Sequence, residues 1–396
     1  MKFAQRTKKI DPFYVMEVAK VASEIDSQQK LNDPAIIHLT IGEPDFTAPA
    51  HVQDAAIKAI RMGVTQYTPA LGIMPLREKI SEWYLQRCGL NVPPQRIIVT
   101  AGASAALLLA CLALVDEEDE VLMPDPSYPC NRHFVSAANG RPVMVPAGPE
   151  DRFQMTAQKV ADNWKEQTRG VLLASPSNPT GTSIHPDELR RIHAFVKAKN
   201  GFTILDELYL GLSFDQAFSK SGLSIDDDII SINSFSKYFS MTGWRLGWMV
   251  VPEQLVPVIE RLAQNFFLCP SAVAQHAALA CFVPESIEEY ESRRNAFRQR
   301  RDWFIPALRE AGFGVPVTPD GAFYAWADCY AWCDNWSLAS GWELSFRLME
   351  KARIAVSPGR DFGTADTARY IRFSTANSMS NLERAAERLL RLRPKG

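Results

Sequence analysis

Ser234-Phe235-Ser236-Lys237-Tyr238-Phe239-Ser240-Met241-Thr242-Gly243-Trp244-Arg245-Leu246-Gly247-Trp248 sets one lysine just after the apolar, strand-like run Ile229 to Ile232. Phe235, Tyr238 and Phe239 flank Lys237, and aromatic neighbours strip water from an ammonium. Lost hydration disfavours the charged form and makes a neutral, nucleophilic amine accessible. An isolated lysine is ordinarily read as a stem covering apolar surface with its head in water. Here Ser234, three residues earlier, and Arg245, eight residues later, change that reading. Both suit one phosphate, the hydroxyl by donating a hydrogen bond and the guanidinium by offering a planar, charged fork.

Outward from this stretch, short apolar runs alternate with turn residues and helical periods. Phe202-Thr203-Ile204-Leu205 delivers Asp206-Glu207-Leu208-Tyr209. An aspartate at the end of an apolar strand is costly to bury alone, so it either faces solvent or meets a cation. Val171 to Ala174 runs into Ser175-Pro176-Ser177-Asn178-Pro179-Thr180-Gly181, a turn by its composition, and Glu120 to Met123 precedes Pro124-Asp125-Pro126-Ser127-Tyr128-Pro129. Arg96 to Thr100 leads through Ala101-Gly102-Ala103-Ser104 into an Ala/Leu-rich helix. Small residues there leave N–H groups exposed at a helix start, where the dipole favours an anion, although a plain tight turn has the same composition. Ile36 to Ile41 reads as a strand ending at Gly42-Glu43-Pro44-Asp45-Phe46, either a simple turn or a place where backbone approaches a ligand.

Helical periods cover Asp11 to Gln29, 53–62 and 75–88, with Tyr67-Thr68-Pro69-Ala70-Leu71-Gly72 between the last two. Further helices are expected over Glu253 to Asn265, Ser271 to Phe282, Ser286 to Glu310 and 380–393. Gly321 to Trp326 and Tyr370 to Ser374 read as strands, the second carrying Arg372 among apolar residues. Repeated strand, loop and helix units of this kind indicate a mostly parallel sheet covered by helices, with site residues at the strand ends.

The 396 residues suffice for two domains, and 46% hydrophobic with 22% charged residues describe a soluble globular chain. A formal net charge of -2 argues against a general nucleic-acid binder, so the basic runs Arg6 to Lys9 and Arg293 to Arg301 are read as solvated surface. No apolar core of a secretory signal follows the basic N-terminal residues, and the apolar run Ala101 to Val115 is too short for a membrane span. Seven scattered cysteines suit free thiols in a reducing, cytoplasmic compartment. Cys329 and Cys333 form the one close pair, without the histidines or second pair that zinc requires, and no metal is assigned. A G-x-G-x-x-G is missing from the strand-to-helix junctions, against a nicotinamide dinucleotide enzyme.

The run through Thr242-Gly243-Trp244-Arg245-Leu246-Gly247 resembles the lysine motif of the fold-type I, pyridoxal-phosphate-dependent aminotransferases, the class I/II group that includes aspartate aminotransferase. Ordered matches extend over essentially the whole chain, among them Val356 to Gly363. The resemblance implies an α/β fold: a large domain with a mostly parallel seven-stranded sheet covered by helices, plus a smaller α+β domain. Residues 1–48 would join the small domain, 49–285 form the large cofactor-binding domain and 286–396 the small C-terminal one. It further implies that Lys237 holds pyridoxal 5'-phosphate as a Schiff base and moves the substrate proton. Asp206 would keep the ring nitrogen protonated, Tyr209 and Asn178 would bond the ring oxygen, and Tyr128 would stack on the ring. Gly102, Ala103, Ser104, Ser234 and Arg245 would hold the phosphate, joined by Tyr67 from the other subunit of a homodimer. Gly42 and Asn178 would lie at the substrate carboxylate, and Arg372 would clamp it.

The reaction so implied moves an amino group from an L-amino acid to a 2-oxo acid by a ping-pong route. In the aspartate-using branch a lysine stands where this chain has Ser104, a departure that weighs against aspartate and leaves alanine, aromatic and methionine-like donors open. A β-lyase cleaving a C–S bond on the same scaffold is an alternative reading, and a non-enzymatic sensor is another. The sensor reading lacks a DNA-binding module, because few residues precede Gly42. Cys329 to Trp342, with Trp332, Trp336 and Trp342, matches no known pattern and is expected to serve the core or an interface.

Overall fold

The computed structural model describes residues 1–4, 7–8, 10–12, 14–28, 34–40 and 42–394. Parts of three sequence readings, at Arg6 and Lys9, at Phe13 and Gln29, and at Ile41, lie outside the described residues.

In chain order the N-terminal part consists of α1 (Tyr14–Ser27), β1 (Ile37–Leu39), α2 (Ala50–Arg61) and α3 (Met74–Cys88). Val15, Val18 and Ala22 of α1, and Val52, Ala56 and Ala59 of α2, are buried at the three-to-four-residue spacing of one helix face. α3 stops at Gly89, whose left-handed φ of 67° is open to glycine at little cost. Next come β2 (Ile97–Thr100), α4 (Ala103–Leu114), β3 (Glu120–Asp125), α5 (Pro129–Ala137), β4 (Arg141–Pro146), α6 (Ala157–Asn163), β5 (Thr168–Ala174), α7 (Pro186–Ala198), β6 (Phe202–Asp206), β7 (Ile230–Ser234) and β8 (Gly247–Val250). The remainder is α8 (Val256–Phe266), α9 (Ala272–Ala278), α10 (Pro284–Glu310), β9 (Tyr324–Asp328), α11 (Tyr330–Asn335), α12 (Gly341–Ala352), β10 (Ile354–Pro358), β11 (Tyr370–Ser374) and α13 (Met379–Leu392).

Seven strands form one sheet in the order β2-β8-β7-β6-β5-β3-β4. The pairs β3/β4, β3/β5, β5/β6 and β6/β7 are parallel, while β8 runs antiparallel to both β7 and β2. The exception has a cause in the lysine stretch. Between Ser234 and Gly247 the chain forms only a 3-10 turn, Thr242–Trp244, without the helical crossover that a parallel return needs. Ser234 and Gly247 therefore sit opposite one another, and the stretch is the loop of a long hairpin. β2 and β7 are buried at every position, and β5 from Gly170 onward, as suits a sheet covered on both faces.

Four strands form the second sheet in the order β1-β10-β11-β9, with β1 parallel to β10 through Ile37 opposite Ile354. α10 enters both cores. Tyr290 and Phe297 pack with Tyr238, Phe239 and Phe323 beside the larger sheet, whereas Phe304, Ile305 and Leu308 pack with Val356 and Phe373 of the smaller one.

Several expectations shift. Gly321 to Trp326 is strand only from Tyr324, because the N–H groups of Asp320 and Gly321 both donate to the Gly181 carbonyl instead of to a neighbouring strand. The helix expected through Phe282 changes to a 3-10 turn at Leu279–Phe282, ahead of Val283, which is extended as the residue before Pro284. The unexplained tryptophan segment resolves into α11 and the start of α12. Trp332 is fully buried, stacks on Phe313 at 4.9 Å and donates its Nε1–H to the Ala311 carbonyl at 3.0 Å. Trp342 meets Tyr14 of α1 edge-on at 5.8 Å.

Trp332→Ala removes both the stack and the donor to Ala311, and is expected to cost about 3–5 kcal/mol of stability. Urea unfolding measures it, and a loss below about 1 kcal/mol, the range of surface substitutions, contradicts the packing assigned here.

Candidate active site

The carboxyl ends of the parallel strands converge on one cavity of about 370 Å³. Asp206 is the last residue of β6 and Ser234 the last of β7; Asn178 follows β5, Tyr128 follows β3, and Ala103 and Ser104 open α4 after β2. The smaller sheet contributes Arg372 from β11, Tyr324 from β9, and Thr40 and Gly42 from the chain after β1. Ligand sites of open α/β sheets form where strands end in this way.

Lys237 projects from the hairpin loop into this space. Its ammonium donates to the Gly42 carbonyl and lies 5.7 Å from the ring centre of Tyr209 and 6.0 Å from that of Phe323. Burial, reinforced by the positive charges of Arg372 and Arg245, lowers its pKa to about 8. Asp206 is 3% exposed, and the N–H of Leu208 donates to its Oδ1 at 3.1 Å. Burial lifts its carboxyl to about 7, and the adjacent Glu207 pushes the same way.

Arg372 is equally buried. Nη1 donates to Asn178 Oδ1 at 2.7 Å, and Nη2 donates to the Thr40 carbonyl at 2.8 Å and to Ser357 Oγ at 3.2 Å. The guanidinium lies over the rings of Tyr324, at 4.3 Å, and Phe362, at 5.0 Å. Its Nε has no acceptor, and no carboxylate pairs with it among the described residues. A buried cation without an anion is costly, so the site is built to receive one.

A second cationic corner forms beside α4. Arg245, in the left-handed region at φ 54°, lies against Gly102, whose φ is 83°. A Cβ on Gly102 would stand 2.6 Å from Arg245 Nη2, and the φ of 83° is one that glycine adopts without strain. The first N–H groups of α4 open toward the same corner, and Ser234 Oγ accepts from the N–H of Ser236 at 3.0 Å. An anion at this corner would meet Arg245, two serines and the helix start together.

The model of the family described as aminotransferase class I and II matches residues 34–389. The chain belongs to that family. Its relatives include a valine–pyruvate aminotransferase of Mycobacterium tuberculosis, 38% identical over 96% of each chain, and an aspartate aminotransferase of Geobacillus stearothermophilus, 33% identical over 99% of this chain and 98% of the other. Among solved structures, an aminotransferase from Mycobacterium tuberculosis superposes with a TM-score of 0.93 at 37% identity, covering 100% of this chain and 99% of that one. Thermus thermophilus aspartate aminotransferase with maleate gives 0.90 at 30% identity, covering 99% and 100%. The fold and the enzyme class expected from the sequence are those observed, and the family works with pyridoxal phosphate.

In this aminotransferase the expected residues Gly42, Ala103, Ser104, Tyr128, Asn178, Asp206, Tyr209, Ser234, Lys237, Arg245 and Arg372 all line the one cavity. Gly102 stands just behind Arg245. Tyr67 does not reach the cavity of its own chain and is 83% exposed. Several lining residues escaped sequence reasoning, among them Val15, Met16, Ala19, Tyr324 and Ser236. Tyr324 lay in a stretch legible only as strand, yet its hydroxyl is 2.6 Å from that of Tyr209 and would touch a Cβ on Gly42 at 3.3 Å. Ser236, inside the lysine stretch, also lines the cavity and donates its N–H to Ser234 Oγ at 3.0 Å.

In the cofactor-free protein, the Lys237 amine should reach half-maximal reactivity toward an amine-directed reagent near pH 8, below the ordinary lysine range. Arg372→Gln removes a repelling positive charge and should move that midpoint upward, as read by mass spectrometry of the labelled peptide. A midpoint that falls or stays put contradicts the electrostatic account.

Proposed function

We propose that this aminotransferase binds pyridoxal 5'-phosphate in the cavity and transfers the amino group of an L-amino acid with an apolar side chain to a 2-oxo acid by a ping-pong route. One observation carries the reading. A buried carboxylate without a cation, Asp206, and a buried guanidinium without an anion, Arg372, share one cavity with a lysine of lowered basicity and with the cationic corner at Arg245. A ring with a basic nitrogen and an anionic tail, joined by an amino acid carboxylate, matches those vacancies in sign and number.

When bound, the cofactor supplies a carbonyl carbon for the incoming amine and a ring that takes up an electron pair. Asp206, at the end of β6, would hold a proton on the ring nitrogen, and that pairing would draw its own carboxyl back toward the ordinary range. Tyr209 and Asn178 address the ring oxygen; since Arg372 occupies Asn178 Oδ1, the amide N–H of Asn178 is what that residue offers. Tyr128 covers a ring face. Gly102, Ala103, Ser104, Ser234 and Arg245 would hold the phosphate, and Tyr67 of a second copy would complete that corner in a homodimer. Arg372 fixes the substrate carboxylate, with Gly42 and Asn178 beside it. Lys237 Nζ, largely neutral above pH 8, would take the proton from the substrate α-carbon and deliver it to the carbon that the cofactor supplies.

The apolar donor is supported by Val15, Met16, Ala19, Leu107 and Leu208 in the cavity wall and by the name of the valine–pyruvate relative. We further propose the domain division at 48/49 and 285/286, and a reducing cytoplasmic setting, for which the seven free cysteines speak. Among the described residues no helix is long and apolar enough to cross a membrane.

A screen of donors against 2-oxo acid acceptors, following the product 2-oxo acid and conversion of the cofactor to its amine form, tests the reading. Lys237→Ala should lose the absorbance of the lysine-bound cofactor and nearly all turnover; retention of both rejects the assignment. Asp206→Ala should keep the cofactor but lower kcat by at least about 100-fold, in line with general acid–base contributions, and an unchanged kcat refutes its role. Ser104→Lys should shift preference toward dicarboxylic donors, and an unaltered ranking refutes the placement of the distal group near Ser104.

A further inference from the structure

Part of the cavity wall belongs to neither sheet. Val15, Met16 and Ala19 come from the start of α1, and Met16 is 63% exposed although it lines the cavity, so its apolar surface is available to a ligand. Elsewhere α1 is attached firmly. Val18 and Ala22 pack on Met349 of α12 and Ala355 of β10, so the helix rides on the smaller sheet. Two backbone N–H groups at its leading end are held by one carboxylate, Asp361, in the loop that follows β10. Oδ1 accepts from the N–H of Tyr14 and Oδ2 from the N–H of Val15, each at 2.8 Å.

One carboxylate thus satisfies two of the donors that a helix start leaves open, and its charge suits that end of the helix dipole. Asp361 is 1% exposed and does not itself line the cavity. Its own loop is tied down from two sides. Arg132 of α5 donates to the Asp361 carbonyl at 3.1 Å, and the Arg360 guanidinium lies 4.0 Å from the ring centre of Tyr14 and 4.9 Å from that of Trp342.

We infer that Asp361 is a positioning residue for donor selection: by gripping Tyr14 and Val15 it fixes how far Val15, Met16 and Ala19 reach into the cavity, and hence which side-chain length the cavity favours. The inference rests on the reading of the cavity as an amino acid site. Asp361 touches no reacting atom, so its effect falls on the ratio between donors. A wall that meets a long apolar side chain and misses a methyl group discriminates by about 10-fold or more per matched methylene.

The test uses the full-length, cofactor-loaded protein and Asp361→Asn, which keeps the shape but loses the charge and one acceptor. The ratio of kcat/KM for L-leucine to that for L-alanine should fall about 10-fold, mainly through the KM for leucine. In the cofactor-free protein, hydrogen exchange across residues 14–27 should accelerate about 10-fold, a readout independent of turnover. Because Asp361 acts through the wall, the ratio in Asp361→Asn with Met16→Ala should match that of Met16→Ala alone. Unchanged exchange, an equal fall for leucine and alanine, or multiplying effects in the double variant would each overturn the inference. Absence of transamination by the parent protein overturns the amino acid site itself and selection with it, whereas transamination by the parent protein with an unchanged leucine-to-alanine ratio in Asp361→Asn overturns selection alone.

Discussion

The guanidinium of Arg372 is the charge around which the two sheets are arranged. Taking an arginine out of water costs several kcal/mol unless its hydrogen bonds are met, and here both terminal nitrogens find acceptors from widely separated parts of the chain. Asn178 comes from the turn after β5, Thr40 from the chain after β1, and Ser357 from β10. Those partners are neutral, so they orient the cation without cancelling it. The charge remains available to a ligand anion, and it is also felt by Lys237, whose ammonium it disfavours.

The same economy governs the larger sheet. Asp206 and Ser234 close adjacent parallel strands, and the β7–β8 hairpin brings Lys237 and Arg245 to the same cavity. Rigid strands thus carry the groups that need fixed direction, while the loop carries the amine that has to move. Glu207, next to Asp206, is buried on the other side of the strand, where Ser221, Ser231 and the N–H of Gly222 satisfy it. Two adjacent acids therefore differ in kind: one is saturated by the protein, the other is left with a single N–H and an open face.

Much of this was readable from the residues. Apolar runs ending in polar clusters located β5, β6 and the start of β7, and apolar residues around Arg372 marked β11, since a buried strand is mainly apolar and its polar members are the ones with a task. The lysine stretch declared itself through aromatic neighbours and its companions Ser234 and Arg245. What stayed hidden was set by distant contacts. β8 reads as the tail of the lysine stretch and becomes a strand only because β2 and β7 lie on either side. Trp332 carries no period of its own, and its place follows from Phe313 and the Ala311 carbonyl. The grip of Asp361 on α1 joins residues 346 positions apart, beyond any local pattern.

The pairing of β1 with β10 has a consequence for how the molecule is made. Ser357 and the Thr40 carbonyl that it contacts are 317 residues apart. At a synthesis rate of about 5–20 residues per second, the N-terminal strand waits roughly 15–60 s for its neighbour to leave the ribosome. The larger sheet uses only residues 97–250 and is free to form during that interval. The backbone after β1 joins the cavity only with the last part of the chain, so a nascent chain carries its reactive lysine for some time before it carries a finished site.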